Sequence, residues 1–242
     1  MSKPYLSIIV PAHNEEQRLP TTLEKIEAFI ALQSFSTEVL VVENGSSDRT
    51  LAIAQGYAEK KNWLRVIHED GRGKGLAVKR GMLEAIGDYR FFADADLSMP
   101  LDQINRFIPP ANAEIDIAIA SREAPGAVRY NEPPFRHFTG RVFNMLVRVI
   151  TLPGLQDTQC GFKCFRGQVA DEIFPYQRNM GWAFDVEVLF IARLHGYRII
   201  EVPIDWYFDS NSKVRVVKDS FRMMRDLVGI RRNGHRGLYS AR

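Results

Sequence analysis

Apolar residues along this 242-residue chain gather first into short runs, each closed by polar or acidic residues. Residues 6–10, 38–42, 64–68, 89–93 and 116–120 are five such runs. Their length and their β-branched and aromatic content predict strands. Between them the apolar spacing changes to the helical period. Leu19, Leu23, Ile26, Phe29 and Ile30 mark a helix over 18–31. Helices are also predicted over 50–61, from the glycine-rich segment 71–75 to about residue 86, and over 101–108. Strands alternating with helices in this way imply an α/β fold with a mostly parallel sheet and helices on both faces. In such sheets ligands bind beyond the carboxyl ends of the strands. The unusual polar clusters of the chain fall at those ends: 12–16, 43–48, 71–75, 94–98 and 121–123.

The second half has a different texture. Residues 123–134 are polar, with Gly and Pro, and read as a mobile loop. An amphipathic helix is predicted over 135–152, with Arg136, Arg141 and Arg148 among its apolar positions. A helix over 181–195, a strand over 197–203 and a second basic amphipathic helix over 219–230 complete the pattern. The apolar faces of both basic helices suit either core packing or insertion at a membrane interface.

Composition narrows the class. Hydrophobic residues make up 45% and charged residues 25%, as in ordinary globular proteins. The net charge of +3 is unevenly placed. Residues 213–242 carry nine Lys/Arg against two Asp/Glu, and the rest of the chain 23 against 27. The expectation is a domain over 1–212 and a basic amphipathic extension over 213–242 that meets an anionic surface such as lipid headgroups. Cys160 and Cys164 are the only cysteines, too close for a disulfide framework and too few for a zinc site. No apolar stretch is long enough for a membrane span, and the first apolar run is too short for a signal peptide. A cytoplasmic protein is expected, peripheral on a membrane at most. The aromatics form no interleaved basic stacking platform, so specific nucleic-acid binding is disfavoured.

Candidate chemistry begins with Asp94-Ala95-Asp96, at the end of the fourth run. In extended backbone, positions i and i+2 point to one side, so both carboxylates face a common point. Two hard oxygen donors suit Mg²⁺ or Mn²⁺ shared with a phosphate-bearing substrate. Plain turn chemistry is the competing reading. Residues 11–16, PAHNEE, are either a nucleotide-binding loop or a helix start capped by Asn14. Glu43, at the end of the second run, is not needed for a cap and is placed to accept from ribose hydroxyls or a base. Residues 71–75, GRGKG, lack P-loop spacing and read equally as a phosphate cradle or a tight turn. The dense polar run 156–163 is a connecting loop or a buried site loop.

Together these segments resemble the inverting family 2 glycosyltransferases. SIIVPAHNEE, VLVVENGSSDRT, GKGLAVKRGM and FFADADLSMP occur in that family's order and spacing. SRE, FRHFTGRVFNMLVRVI, DTQCGFKCF and GWAFDVEVLFIARLHGYRIIEVPIDW resemble its polyprenyl-phosphate branch, and DTQCGFK is most similar to the dolichyl-phosphate β-glucosyltransferases. The resemblance spans residues 5–232 and implies a GT-A (nucleotide-diphospho-sugar transferase) fold, Rossmann-like. It also implies a metal-dependent enzyme that moves a hexose from a nucleotide-sugar donor, UDP-glucose by preference, to a polyprenyl-phosphate acceptor in a membrane.

Roles follow by position. The resemblance puts Pro11, Asn14, Glu15, Glu43 and Lys74 at the nucleotide, with Asp94 serving both nucleotide and metal. Glu43 stands where the family commonly has Asp, and Asn44 replaces a second one. Asp94 and Asp96 would hold Mg²⁺ or Mn²⁺ on the diphosphate. Arg122, Arg129 and Lys213 would meet the acceptor phosphate, and Asp157 would be a base or an orienting carboxylate. Membrane contact would be peripheral or through a membrane partner protein. Three alternatives remain at this level: a GDP-mannose donor, a saccharide hydroxyl as acceptor, and a non-catalytic nucleotide- or membrane-binding module.

Overall fold

The computed structural model describes residues 3–112, 115–209 and 216–240. The predicted alternation is realised over the first half as β1 (Leu6–Ala12), α1 (Leu19–Ala31), β2 (Thr37–Glu43), α2 (Thr50–Ala58), β3 (Leu64–His68), α3 (Lys74–Glu84) and β4 (Tyr89–Ala93). The predicted helix at 101–108 is a short 3-10 helix, Leu101–Arg106. There follow β5 (Ile117–Ser121), β6 (Val128–Tyr130), α4 (Pro134–Ile150), β7 (Phe162–Arg166), α5 (Gly167–Ile173), α6 (Phe184–Leu194), β8 (Ile199–Pro203), β9 (Asp205–Tyr207) and α7 (Val216–His235).

Seven strands form one sheet in the order β3-β2-β1-β4-β7-β5-β8, and β6 pairs with β9 apart from it. Strands β1, β2, β3 and β4 run parallel, as do β5 and β8. β7 is antiparallel to both its neighbours. Its place at the centre of the sheet corrects the reading of 156–163 as loop throughout. The pair β6 and β9 likewise corrects the reading of 123–134 as a mobile loop, since Val128 to Tyr130 are paired with Asp205 to Tyr207.

Side-chain alternation explains why the central runs look continuously apolar. Ile9, Leu40, Val42 and Phe92 enter a core shared with α3, α5, α6 and α7. Their neighbours Ile8, Val10, Val39, Val41 and Phe91 enter a second core with α1 and the 3-10 helix. A strand buried on both faces needs apolar residues at every position. The same first core takes in Met223, Leu227 and Ile230 of α7 and also Tyr239. The buried face of α7 thus packs into the same core as the strands.

Candidate active site

The ends of β1, β2 and β4 lie side by side and open into a cleft of about 460 Å³. Pro11, His13, Glu15 and Arg18 come from the β1 exit, and Asn44 from the β2 exit. Arg72, Gly73 and Lys74 open α3, Asp94 to Asp96 leave β4, and Met180 to Trp182 close the far wall. The strand-end clusters thus converge because a parallel sheet brings its carboxyl ends to one edge.

Asp94 and Asp96 both line this cleft. Lys74 Nζ lies 2.5 Å from Oδ1 of Asp94 and 5.8 Å from the centroid of the Trp182 ring. Burial works against the Lys74 ammonium, but Asp94 and Asp185 outweigh it and raise its pKa. Asp96 Oδ1 accepts from the Ser98 amide at 3.1 Å. Burial, and then the charge of Asp94, push the Asp96 carboxyl above its ordinary pKa against the pull of Ser98 and Lys74. Two carboxylates on one wall thus repel, with one nearby cation to offset them. No group of three or more His, Cys, Asp or Glu side chains suited to a metal ion occurs among the described residues.

Gly161 fixes the depth at which Asp94 sits. The Asp94 amide donates to the Gly161 carbonyl at 3.2 Å. A Cβ on Gly161 would fall 1.9 Å from Oδ2 of Asp94, so only glycine allows this approach. The DTQCGFK segment is therefore part of the carboxylate site.

The loops behind the cleft are tied to each other. Asn14 adopts a positive φ of 54°, and its Oδ1 accepts from the Ser47 amide at 2.8 Å. It is not a helix cap, since α1 starts at Leu19 with Arg18 at the cap position. Glu15 lines the cleft and pairs with Arg18 at 3.2 Å. Glu43 is buried behind the wall. Its Oε1 accepts from the Ser46 amide and its Oε2 lies 2.6 Å from Nδ1 of His68. Burial pushes the Glu43 carboxyl up, but the bonds from Ser46 and His68 outweigh it and hold its pKa below the ordinary value. Both oxygens are thus engaged in shaping the β2 exit, which differs from the expected direct contact with a nucleotide. Asn44 continues that exit, its Nδ2 donating to the Gly73 carbonyl at 3.2 Å.

Arg122, Arg129 and Asp157 are not among the residues that line the cleft. Asp157 is fully buried. Its Oδ2 accepts from Nε of Arg122 at 2.7 Å and from the Arg122 amide at 2.9 Å, and its Oδ1 accepts from Nη2 at 2.9 Å. Burial opposes ionisation of Asp157, yet Arg122 dominates and brings its pKa to about 2. Both Asp157 oxygens are thus held by Arg122, an arrangement that suits an orienting carboxylate better than a base. The guanidinium lies 5.2 Å from the Trp206 ring centroid. Arg129 also lies over Trp206, at 6.0 Å, but two glutamates, Glu123 and Glu132, each hold it at 2.6 Å. It is neutralised where it stands, unlike the free acceptor ligand expected. Lys213 lies outside the described residues. Cys160 bridges the two regions: burial raises its thiol pKa to about 12, and it feels Arg122 and Asp157 on one side, Lys163 and Asp94 on the other.

The sequence model of Glycosyl transferase family 2 matches residues 7–174. The chain belongs to that family. It is 32% identical over 253 residues to a dolichyl-phosphate beta-glucosyltransferase of Trichomonas vaginalis, covering 100% of this chain and 75% of that one. It is 37% identical over 242 residues to the dolichyl-phosphate beta-glucosyltransferase of Drosophila melanogaster, covering 93% and 74%. The fold matches the crystal structure of Mycobacterium tuberculosis glucosyl-3-phosphoglycerate synthase in complex with Mn²⁺, UDP and glucosyl-3-phosphoglycerate, with a TM-score of 0.68. That match has 16% identity and covers 94% of this chain and 78% of the other, which shows the GT-A fold. Other crystals of that synthase hold Mg²⁺ and UDP.

In this family 2 glycosyltransferase several site residues carried no readable signal. His13 was visible only as part of a loop, and Arg18 only as the start of a predicted helix. Trp182 stood inside a helix pattern. Lys163 looked like an ordinary loop cation, but it is buried in β7 and donates to Asp185 and to the Cys160 carbonyl, both at 2.6 Å.

Proposed function

We propose that this glycosyltransferase moves glucose from UDP-glucose to the phosphate of a dolichyl-type polyprenol, inverting the configuration at C1. The observation that carries the reading is the Asp94–Asp96 pair in the wall of a cleft that also presents Lys74 and Arg72. Carboxylates and cations side by side suit a nucleoside diphosphate held through a divalent ion. Both aspartates are hard oxygen donors on one wall, and their mutual repulsion is what a cation relieves, so Mg²⁺ or Mn²⁺ fits them. Asp94 and Asp96 would hold the ion from the cleft wall. When bound, the ion supplies Lewis-acid stabilisation of the departing diphosphate. Lys74, poised on Asp94, adds a second positive charge there.

The acceptor phosphate oxygen attacks C1 of the sugar while the C1–O bond to UDP breaks and its electron pair leaves on UDP. Attack opposite the leaving group converts an α-linked donor into a β-linked product. A phosphate is already anionic near neutral pH, so no strong base is required, in keeping with a saturated Asp157. What the acceptor needs is orientation. Asp157 occupies Nε and Nη2 of Arg122, which leaves the Nη1 edge of a rigid guanidinium for a phosphate. Lys213 is assigned to the same phosphate, and Arg129 to bracing the loop that carries Arg122.

A lipid acceptor requires a surface that meets the bilayer. No helix among the described residues is long and apolar enough to cross a membrane. Helix α4 instead exposes Phe135, Val142, Met145 and Val149 along one side, next to Arg141 and Arg148. Apolar residues flanked by arginines suit peripheral docking on anionic headgroups. We place this contact on the cytoplasmic face, where nucleotide sugars are available, with a membrane partner protein as the other route.

Offering labelled nucleotide sugars with a short polyprenyl phosphate and Mg²⁺ or Mn²⁺ tests the proposal. Label from UDP-glucose is expected in the chloroform-soluble product. Label from GDP-mannose alone would overturn the donor. Label confined to a water-soluble saccharide would overturn the acceptor.

A further inference from the structure

The far wall of the cleft, Met180 to Trp182, belongs to a loop without regular structure between the 3-10 turn Phe174–Tyr176 and α6. Its backbone is fitted closely to the start of α3. A Cβ on Gly73 would fall 2.2 Å from the Met180 carbonyl, and one on Gly75 2.8 Å from the Asn179 carbonyl. The Leu76 amide donates to the Met180 carbonyl at 3.3 Å. Gln177 Nε2 donates to the carbonyls of Gly75, at 2.8 Å, and Asn179, at 2.9 Å. Any shift of this loop therefore moves Trp182 and the helix start that carries Lys74.

The loop is anchored from behind by one buried carboxylate. Glu187, in the first turn of α6, accepts on Oε2 from the amides of Arg178 at 2.8 Å and Asn179 at 2.6 Å. Its Oε1 accepts from the Tyr239 hydroxyl at 2.6 Å. Tyr239 is fully buried although it lies close to the C-terminus. Burial and the adjacent Glu187 raise the Tyr239 pKa, so the hydroxyl stays protonated and donates. A second contact reaches that hydroxyl from the opposite side, where Asn233 Nδ2 donates at 3.2 Å. The Tyr239 carbonyl lies 2.6 Å from Nε2 of His195.

We infer that Tyr239 and Glu187 are positioning residues for the donor: the C-terminal tyrosine, acting through Glu187, sets the 178–182 loop and so the wall of the nucleotide cleft. The inference rests on the reading of this cleft as the donor site. A buried carboxylate deprived of one donor must find another or shift, and a shift of Glu187 is passed to the two loop amides that it holds. Removing the Tyr239 hydroxyl therefore disturbs the loop, whereas removing Asn233 leaves the Tyr239–Glu187 bond in place. A purely structural role for the tyrosine predicts no such asymmetry.

The test measures UDP binding in Mn²⁺ by calorimetry, together with steady-state kinetics against UDP-glucose, for wild type, Tyr239→Phe, Glu187→Gln and Asn233→Ala. Tyr239→Phe keeps the ring and is expected to weaken UDP binding and raise the donor KM about three- to tenfold. Its kcat and acceptor KM stay near wild type, and its thermal midpoint falls by a few degrees. Glu187→Gln shifts donor affinity in the same direction and further, and Asn233→Ala leaves it unchanged. Wild-type UDP affinity in a folded Tyr239→Phe protein would overturn the inference, as would an equal loss in Asn233→Ala. Failure of the wild-type protein to bind any nucleoside diphosphate would instead overturn the donor-site reading beneath it.

Discussion

Two aspartate–cation pairs flank the 157–163 segment, and they are held very differently. Lys74 meets Asp94 through a single contact at 2.5 Å in an open cleft. Arg122 meets Asp157 through three hydrogen bonds around a carboxylate with no exposed surface. A point contact at a cleft wall can exchange one cation for another. A buried bidentate pair with a backbone bond cannot, because parting it strands a charge away from water. On the proposed reading, the exchangeable aspartate does ligand and metal work and the fixed one aims an arginine.

Breaking the firm pair gives the largest effect of the substitutions outside the carboxylate site. Asp157→Asn leaves the partly buried Arg122 without its counter-charge and is expected to destabilise the fold by about 1–3 kcal/mol, read by urea unfolding. The pH dependence has a definite sign. Asp157 is depressed to about 2 from an ordinary 3.8. Its contribution is therefore present above pH 3.8 and lost as the pH falls toward 2, at most about 2 kcal/mol for that span. An unfolding free energy at pH 7 unaltered by Asp157→Asn would mean the pair is not the anchor described here.

Crowding the loose pair is the next largest effect. Gly161→Ala places a methyl group against Oδ2 of Asp94 and should displace that carboxylate. Misplacing a reacting group by an ångström costs about a hundredfold in rate. The expected outcome is a loss of that order in kcat, with UDP-glucose as donor, and a smaller change in thermal midpoint. Undiminished turnover would show that Asp94 need not sit where Gly161 holds it.

The smallest effect is expected at the exposed apolar side of α4, the proposed docking surface. Phe135→Ser with Val149→Ser removes two exposed apolar groups from α4 without touching either pair. Binding to anionic vesicles in a sedimentation assay should weaken about tenfold or more, given about 1.5–3 kcal/mol for burying each large side chain. Turnover on a detergent-dispersed short acceptor should not change. Equal vesicle binding by the variant would remove α4 from the docking surface.

These contrasts also mark where the chain was readable. β1, β2 and β4 stood out because strands buried on both faces are mainly apolar runs, and Asp94 and Asp96 because two acids follow one of them. β7 was hidden by Lys163, which breaks the apolar run FKCFR. Only the folded chain supplies its partner Asp185, from a helix further along. β6 and β9 are three residues each and are held by pairing with each other, which no local pattern displays. Asp157 was identified as a site residue, but its role depends on how many donors surround it, and that is a property of packing. Tyr239 sits in a basic tail whose local sequence gives no sign of burial. Asn14 and Glu43 were singled out as nucleotide ligands, and the contacts they make in the folded chain link loops.

The central claim is that the Asp94–Asp96 pair grips the donor diphosphate through a divalent ion. The direct measurement is transfer of labelled glucose from UDP-glucose to polyprenyl phosphate by wild type and by Asp94→Asn with Asp96→Asn, each with Mn²⁺ and with excess chelator. The account predicts a loss of about a thousandfold or more in the double variant, or in wild type with chelator, with the fold intact by circular dichroism. Full turnover by the double variant in chelator would contradict it.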